Sequence, residues 1–389
     1  MRLPLSFTVL ATFVVGLGCQ TDGATDSSGS EVASETGDGD GDLGDGDGEP
    51  GDGDGEPGDG DGDGEPGDGD GEPGDGDGDQ TPPPPKPDWL TVYTIGDEAD
   101  ADVDPLGPGV LLMGGGADVN AAFTWQSGLI AGGDIVVLRA SGSDGYNSYL
   151  YNQIGGADSV QTLLITSAEA AADPWVAWTV AHAEAVFMAG GDQAVYMELW
   201  KDSPLADAIM TAWDRGAVIG GTSAGLAVMG EFVFAAYNGT VYPEEALEDP
   251  YNQYMELDQD FLAIPTLAGV ITDSHFFERD RMGRLLGFAA RVLEDGWSTE
   301  VIGLGVDERT AMVIGPDGVG EVLGNGSVYL FHSDQPAAVC SPGLALEYGP
   351  VMVHRLAAGD TATWPGGQTA VSAAPVSASG GFTVPADPY

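Results

Sequence analysis

Residues 88–389 read as an α/β domain, a three-layer α/β/α arrangement on a mostly parallel sheet closed by C-terminal β hairpins. Two observations predict this. Short, continuous apolar runs at 109–113, 134–138, 162–165, 185–188, 217–219 and 267–271 lack the alternation of a half-exposed strand, so both of their faces must be covered. Between them lie segments long enough for helices, such as 119–130 and 195–215, the latter broken at Pro204, and such alternation is the signature of parallel strands joined by crossover helices. From Met312 onward the pattern changes: Pro316-Asp317-Gly318 and Gly324-Asn325-Gly326 separate short apolar stretches, as hairpin turns do.

The chain before this domain cannot build a core. Arg2 followed by the apolar run 3–17 has the layout of a secretory signal over residues 1–18, too short for a membrane span. Cys19 after Gly16-Leu17-Gly18 resembles a bacterial lipoprotein cleavage site, although Leu17 stands one place later than usual. The expectation is a cell-envelope or secreted protein held to the membrane only by a lipid on Cys19. Residues 19–87 are Ser/Thr-rich and then repeat Gly-Asp-Gly-Asp-Gly-Glu-Pro units up to a run of prolines, the composition of a disordered, self-repelling tether. The repeats lack the apolar position of a calcium roll and the closing glutamate of a helix-loop-helix calcium site, so no structural metal is expected.

Of the 63 acidic residues, 23 lie in residues 1–87, which leaves the domain with 40 acids against nine bases. So acidic a surface argues against nucleic acid or an anionic membrane as partner and favours cationic ligands. With Cys19 and Cys340 as the two cysteines, a lipidated chain has no internal disulfide and depends on burial for stability.

The chemistry concentrates at the ends of the strands. Gly221-Thr222-Ser223-Ala224-Gly225 follows an apolar run as a G-x-S-x-G turn, which exposes a serine hydroxyl and sets the next N–H groups at a helix start, where an oxyanion is stabilised. Gly190-Gly191-Asp192-Gln193, the stretch from Asp273-Ser274-His275 to Arg284, and Asp307-Glu308 follow other runs. Serine needs a base to take its proton, and His275 is the candidate among four histidines. Glu308, at the end of a later strand, is the choice for the acceptor that orients the imidazole; Asp273, two residues before His275, is the weaker candidate. Trp175, Trp178, Trp200 and Trp213 are read as packing residues rather than binding platforms.

Taken together, Met113-Gly114-Gly115-Gly116, Gly190–Gln193, Gly221–Gly225, Asp273–Phe276 with Arg279, Arg281 and Arg284, and Gly305–Glu308 with Thr310-Ala311 closely resemble the cyanophycinase-like serine peptidases. These are relatives of dipeptidase E with a flavodoxin- or glutamine-amidotransferase-like fold, and the likeness spans residues 109–312. It implies Ser223 as nucleophile, His275 as base, Glu308 as its partner, and an oxyanion held by Ala224 with Gly190 or Gly191. It further implies that Asp192, Gln193, Asp273, Arg279, Arg281 and Arg284 bind substrate, with no cofactor. The substrate would be a peptide or cyanophycin, poly-aspartate with arginine joined through each side-chain carboxyl, cleaved to β-Asp-Arg dipeptides. Arg281 and Arg284 share a helix face in this reading and clamp carboxylates; the bland alternative pairs them with Glu278, Asp280 and Glu294. Ser274 stands where cyanophycinases commonly have glutamine. An aspartyl dipeptidase of the same fold, and a catalytically silent surface-binding lipoprotein, are the alternative functions; a homodimer is an allowed assembly.

Overall fold

The computed structural model describes residues 82–389. The signal at 1–18, Cys19 and the tether up to residue 81 lie outside the described residues. Two mixed sheets organise the rest, one of 9 strands and one of 8. In the first, the apolar runs become five adjacent parallel strands in the order Ser159–Leu164, Ile135–Arg139, Ala185–Met188, Val218–Thr222 and Gly109–Met113. Antiparallel strands flank this block: Val92–Gly96 on one side, then Thr310–Ile314, Val319–Gly324 and Thr361–Thr363 on the other. The second sheet holds parallel neighbours only where Val270–Asp273 meets Val301–Val306 and Phe232–Phe234.

The expectation of a mostly parallel sheet is therefore corrected to two mixed sheets, and connection length supplies the reason. A parallel neighbour needs a crossover of a dozen or more residues, and all but one of the links between the C-terminal strands, residues 334–347, are shorter than that. Residues 307–309 carry the chain from Val301–Val306 of the second sheet directly into Thr310–Ile314 of the first. Hairpin pairing holds across Pro316-Asp317-Gly318. It fails across Gly324-Asn325-Gly326, where Val319–Gly324 stays in the first sheet while Ser327–Ser333 joins the second. An Asn-Gly turn is compatible with either outcome, because the turn fixes the reversal and not the partner.

One face of the first sheet, through Val110, Leu112, Val136, Leu138 and Ile219, packs in a single cluster with Leu304, Val306 and Leu330 of the second sheet. Helices Pro174–His182, Gln193–Trp200 and Pro204–Asp214 add Val180, Trp200 and Ile209 to it. The opposite face, with Leu111, Met113, Val137 and Phe187, is covered by Phe123 of helix Asn120–Ser127. Beyond the second sheet, Phe232, Ile271, Tyr329 and Phe331 meet helix Met282–Glu294 through Leu285, Phe288 and Val292. The sheets thus pack on each other over part of their area, with helices outside both. Among the described residues no helix is long and apolar enough to cross a membrane.

Phe187 is fully buried and meets Phe123 edge-on at 4.9 Å. Phe187→Ala leaves a ring-sized cavity that a sheet interior cannot collapse, so denaturant unfolding should show a loss of about 3–5 kcal/mol.

Candidate active site

Ser223 directly follows strand Val218–Thr222 and precedes helix Ala224–Ala227, with φ 53 and ψ −112. A residue with a Cβ rarely adopts this conformation, and the strain is characteristic of a serine held out at a strand-to-helix turn. Space dictates the flanking glycines: a Cβ at Gly221 would collide with the Gly225 backbone, and one at Gly225 with the Met188 carbonyl. The Ser223 N–H donates to the Met113 carbonyl at 3.1 Å, which fixes the turn to the neighbouring strand.

The second sheet supplies the histidine. His275 follows strand Val270–Asp273, with φ 47, and its Nε2 lies 2.7 Å from Ser223 Oγ. Its Nδ1 lies 2.7 Å from Glu308 Oε1, in the 307–309 link between the sheets. Gly114-Gly115-Gly116 is the cradle that lets these groups meet. A Cβ on Gly115 would overlap the His275 ring, and one on Gly116 would come 2.9 Å from Glu308 Oε2. Backbone bonds lock the cradle: the His275 N–H donates to the Gly114 carbonyl at 2.8 Å, and the Arg309 N–H to the Gly115 carbonyl at 2.8 Å. The buried Asp307 carboxylate accepts from the N–H groups of Phe277 at 2.9 Å and Ser327 at 2.8 Å, which holds the link beside the histidine loop.

Burial holds the His275 pKa below its ordinary 6.5; the hydrogen bond to Glu308 opposes this, and the Arg279 and Arg281 charges reinforce it. The ring is therefore neutral at neutral pH and able to accept a proton at Nε2 while Nδ1–H donates to Glu308. Gly190 lies across from the serine, its Cβ position 3.5 Å from Ser223 Cβ, and Tyr196 holds this loop through a hydrogen bond to the Ala189 carbonyl at 2.9 Å. Ala224 opens the short helix that follows Ser223.

A pocket of about 330 Å³ opens over Ser223 and His275, lined also by Gly191, Asp192, Gln193, Tyr237, Thr240, Arg279, Arg281 and Arg284. Asp273 is not among these. It is 2% exposed and serves as the buried counter-ion of two arginines. Arg284 engages it twice, Nε to Oδ2 at 2.7 Å and Nη2 to Oδ1 at 2.5 Å, and Arg281 Nη1 reaches Oδ1 at 3.2 Å. The expected role of Asp273 in binding a substrate guanidinium is thereby corrected, since both of its oxygens are already committed. Asp273 itself, rather than Glu278, Asp280 or Glu294, is the acid paired with Arg281 and Arg284. Burial lowers the Arg281 pKa to about 10, with Asp273 opposing the shift.

Arg279 differs from both, being exposed and paired with no carboxylate among the described residues. Asp192 is exposed at the opposite side and caps helix Gln193–Trp200 through the Ala194 N–H at 3.0 Å; Gln193 Nε2 donates to the Phe234 carbonyl at 2.5 Å. The pocket therefore presents one free cation and one accessible anion near the serine. Sequence reasoning did not single out Gly115 and Gly116 as supports of the histidine and glutamate, although three glycines after a buried strand were the available signal. Tyr237 and Thr240 had no signal, because they reach the pocket on an irregular loop that Arg284 anchors through Thr240 Oγ1 at 3.2 Å.

Residues 144–248 match the model of peptidase family S51. A cyanophycinase from Geminocystis herdmanii is 34% identical over 173 residues, 44% of this chain and 57% of that protein. One from Trichormus variabilis is 30% identical over 202 residues, 52% of this chain and 62% of that protein. The chain thus spans about three fifths of the length of these curated relatives. A solved peptidase from an acI-B1 actinobacterium is 20% identical, covers 67% of this chain and 98% of its own, and superposes with a TM-score of 0.44. The family match contains Ser223, Asp192 and Gln193, whereas His275 and Glu308 lie beyond it.

Asp273→Asn removes the charge that compensates two buried guanidinium groups. Denaturant unfolding should show a loss of about 3–5 kcal/mol, the cost of breaking a buried pair by deleting one partner. Arg279→Gln, on the surface, should stay within about 0.5 kcal/mol of the parent. The same Arg279→Gln variant removes a charge that lowers the His275 pKa, so an NMR titration of the imidazole should show its midpoint below 6.5 in the parent and higher in the variant.

Proposed function

We propose that this chain, a cyanophycinase-like homologue of the serine-type peptidases of family S51, hydrolyses amide bonds beside aspartate, with cyanophycin as its substrate. The carrying observation is the continuous hydrogen-bond chain from Ser223 through His275 to Glu308, with both contacts at 2.7 Å and the serine on a strained turn. A silent binding protein needs none of these three groups aligned, so that alternative is not favoured.

In the proposed mechanism the Ser223 oxygen attacks the carbonyl carbon while His275 Nε2 takes its proton, and Glu308 stabilises the imidazolium through Nδ1–H. The oxyanion accepts from the N–H of Ala224 and one from Gly190 or Gly191. His275 gives its proton to the leaving amine as the carbon–nitrogen bond breaks. Water, deprotonated by the same nitrogen, then releases the acyl group and restores the serine. His275 Nε2 carries every proton transfer, while the N–H donors and the Glu308 carboxylate stabilise charge without exchanging protons.

The charge pattern of the pocket supports the substrate class. Each cyanophycin unit carries a free carboxylate and a guanidinium, matching the unpaired Arg279 and the accessible Asp192. Arg281 and Arg284, both bonded to the one buried carboxylate of Asp273, are held in the wall instead of clamping a carboxylate. Ser274, 3% exposed with its carbonyl 2.8 Å from Arg281 Nη1, leaves that wall shorter than glutamine would. We extend the proposal to a cell-envelope location through a lipid on Cys19, for which the support is the sequence of residues 1–19; Cys19→Ser should then move the protein from the membrane to the soluble fraction.

Ser223→Ala should lower kcat on cyanophycin by roughly a millionfold, the scale set by losing a triad nucleophile, with an unchanged unfolding midpoint. Retained turnover in a purified variant overturns the serine-hydrolase reading. Arg279→Gln loses a charge-assisted contact of about 1.5–3 kcal/mol, so kcat/KM on cyanophycin should fall roughly ten- to hundredfold. A small activated ester, which needs no carboxylate contact, should be cleaved at the parent rate.

A further inference from the structure

A second pocket, of about 300 Å³, lies at the opposite end of the parallel strands from Ser223. Asp134 and Ala183 in its lining stand just before their strands begin, whereas Ser223 follows the last residue of its own strand. The floor is buried and polar. Asp134 is 5% exposed, accepts from the Ala101 N–H at 3.0 Å and the Ser159 hydroxyl at 2.6 Å, and pairs with no cation among the described residues. Thr179 lines the same floor at 7% exposure, and its hydroxyl has no hydrogen-bond partner. A buried, unpartnered hydroxyl beside an uncompensated carboxylate requires an explanation, because such groups are nearly always satisfied.

The remaining walls indicate what would satisfy them. Glu98 and Asp100 stand at the exposed rim, and among the described residues no basic residue lines the pocket. Trp175 and Trp178, which the sequence pattern assigned to packing, are only partly buried and form its apolar sides. The Trp175 ring already attracts the Lys86 ammonium, 5.4 Å from its centroid. Carboxylates at rim and floor, the Trp175 ring that already meets a cation and a hydroxyl free to accept together suit a flat cation with donors in several directions.

We propose that this pocket binds the guanidinium group of an organic cation. A guanidinium is planar, stacks on indole, offers five N–H donors and needs no acceptor in return; an ammonium is more strongly hydrated and gives up more on entering a site with aromatic walls. Because the pocket lies at the other end of the strands, the proposal does not depend on the hydrolase reading.

The test is titration of the full chain with n-butylguanidinium at low ionic strength, followed by tryptophan fluorescence and calorimetry. The expected result is saturable binding that weakens at least tenfold in Asp100→Asn and in Thr179→Val and is unchanged in Ser223→Ala and Arg279→Gln. Asp100 is at the exposed rim and Thr179→Val keeps the side-chain shape, so both variants should retain the fold, as circular dichroism will report. n-Butylammonium should bind at least tenfold more weakly than the guanidinium. Absence of saturable binding, binding that survives both pocket substitutions, binding lost in Arg279→Gln, or equal affinity for the ammonium would each overturn the proposal.

Discussion

The close approach of two sheets at Gly114-Gly115-Gly116 is the constraint on which the rest of the site depends. Ser223 belongs to the first sheet, His275 to the second, and Glu308 to the link that passes between them. Their alignment therefore requires the sheet ends to meet within hydrogen-bonding distance of each other's backbones. The three glycines permit this, because any side chain at Gly115 would occupy the volume of the imidazole. Backbone bonds from His275 and Arg309 to the glycine carbonyls, and from Ser223 to Met113, turn that proximity into a fixed register. The strain at Ser223 and His275 persists because these contacts over-determine it.

A second constraint is electrostatic. Three arginines close together repel one another. Asp273 relieves this by taking two of them into a buried, multiply bonded cluster, which also anchors the loop at Thr240 and Val241 through Arg284. The exposed charges at the pocket are Arg279 on one side and Asp192 on the other, with Arg281 and Arg284 buried in its wall. Burying one carboxylate beneath the wall thus sets both the shape of the pocket and the sign of the charge it offers.

The same strands carry polar groups at their other ends, with a different result. There Asp134, Thr179 and the acidic rim face a pocket with no basic residue in its lining among the described residues, so the counter-charge that Asp273 receives near the serine is missing. The two ends of the sheet differ in this sense: one has two of its cations bonded to a carboxylate from within, the other leaves its anions to be met from outside.

The sequence by itself determined the parallel block, the serine turn and the residue types of the site. Continuous apolar runs admit no other covered strand, and G-x-S-x-G with small neighbours admits few other turns. It also offered Glu308 as the partner of His275, but alternation alone does not exclude Asp273, which two residues earlier shares the same face of an extended segment; the left-handed turn at His275 and the bonds from Arg281 and Arg284 to Asp273 decide between them. Only the tertiary structure decided that the strands divide into two sheets, since short links such as 307–309 and 325–326 fix a change of direction without fixing which strand is met next. It likewise decided that Asp273, Arg281 and Arg284 are one buried ionic cluster and that Arg279 alone of the three arginines stays exposed. Spacing along the chain gives the order of charges, but which of them lose contact with water depends on what packs above them.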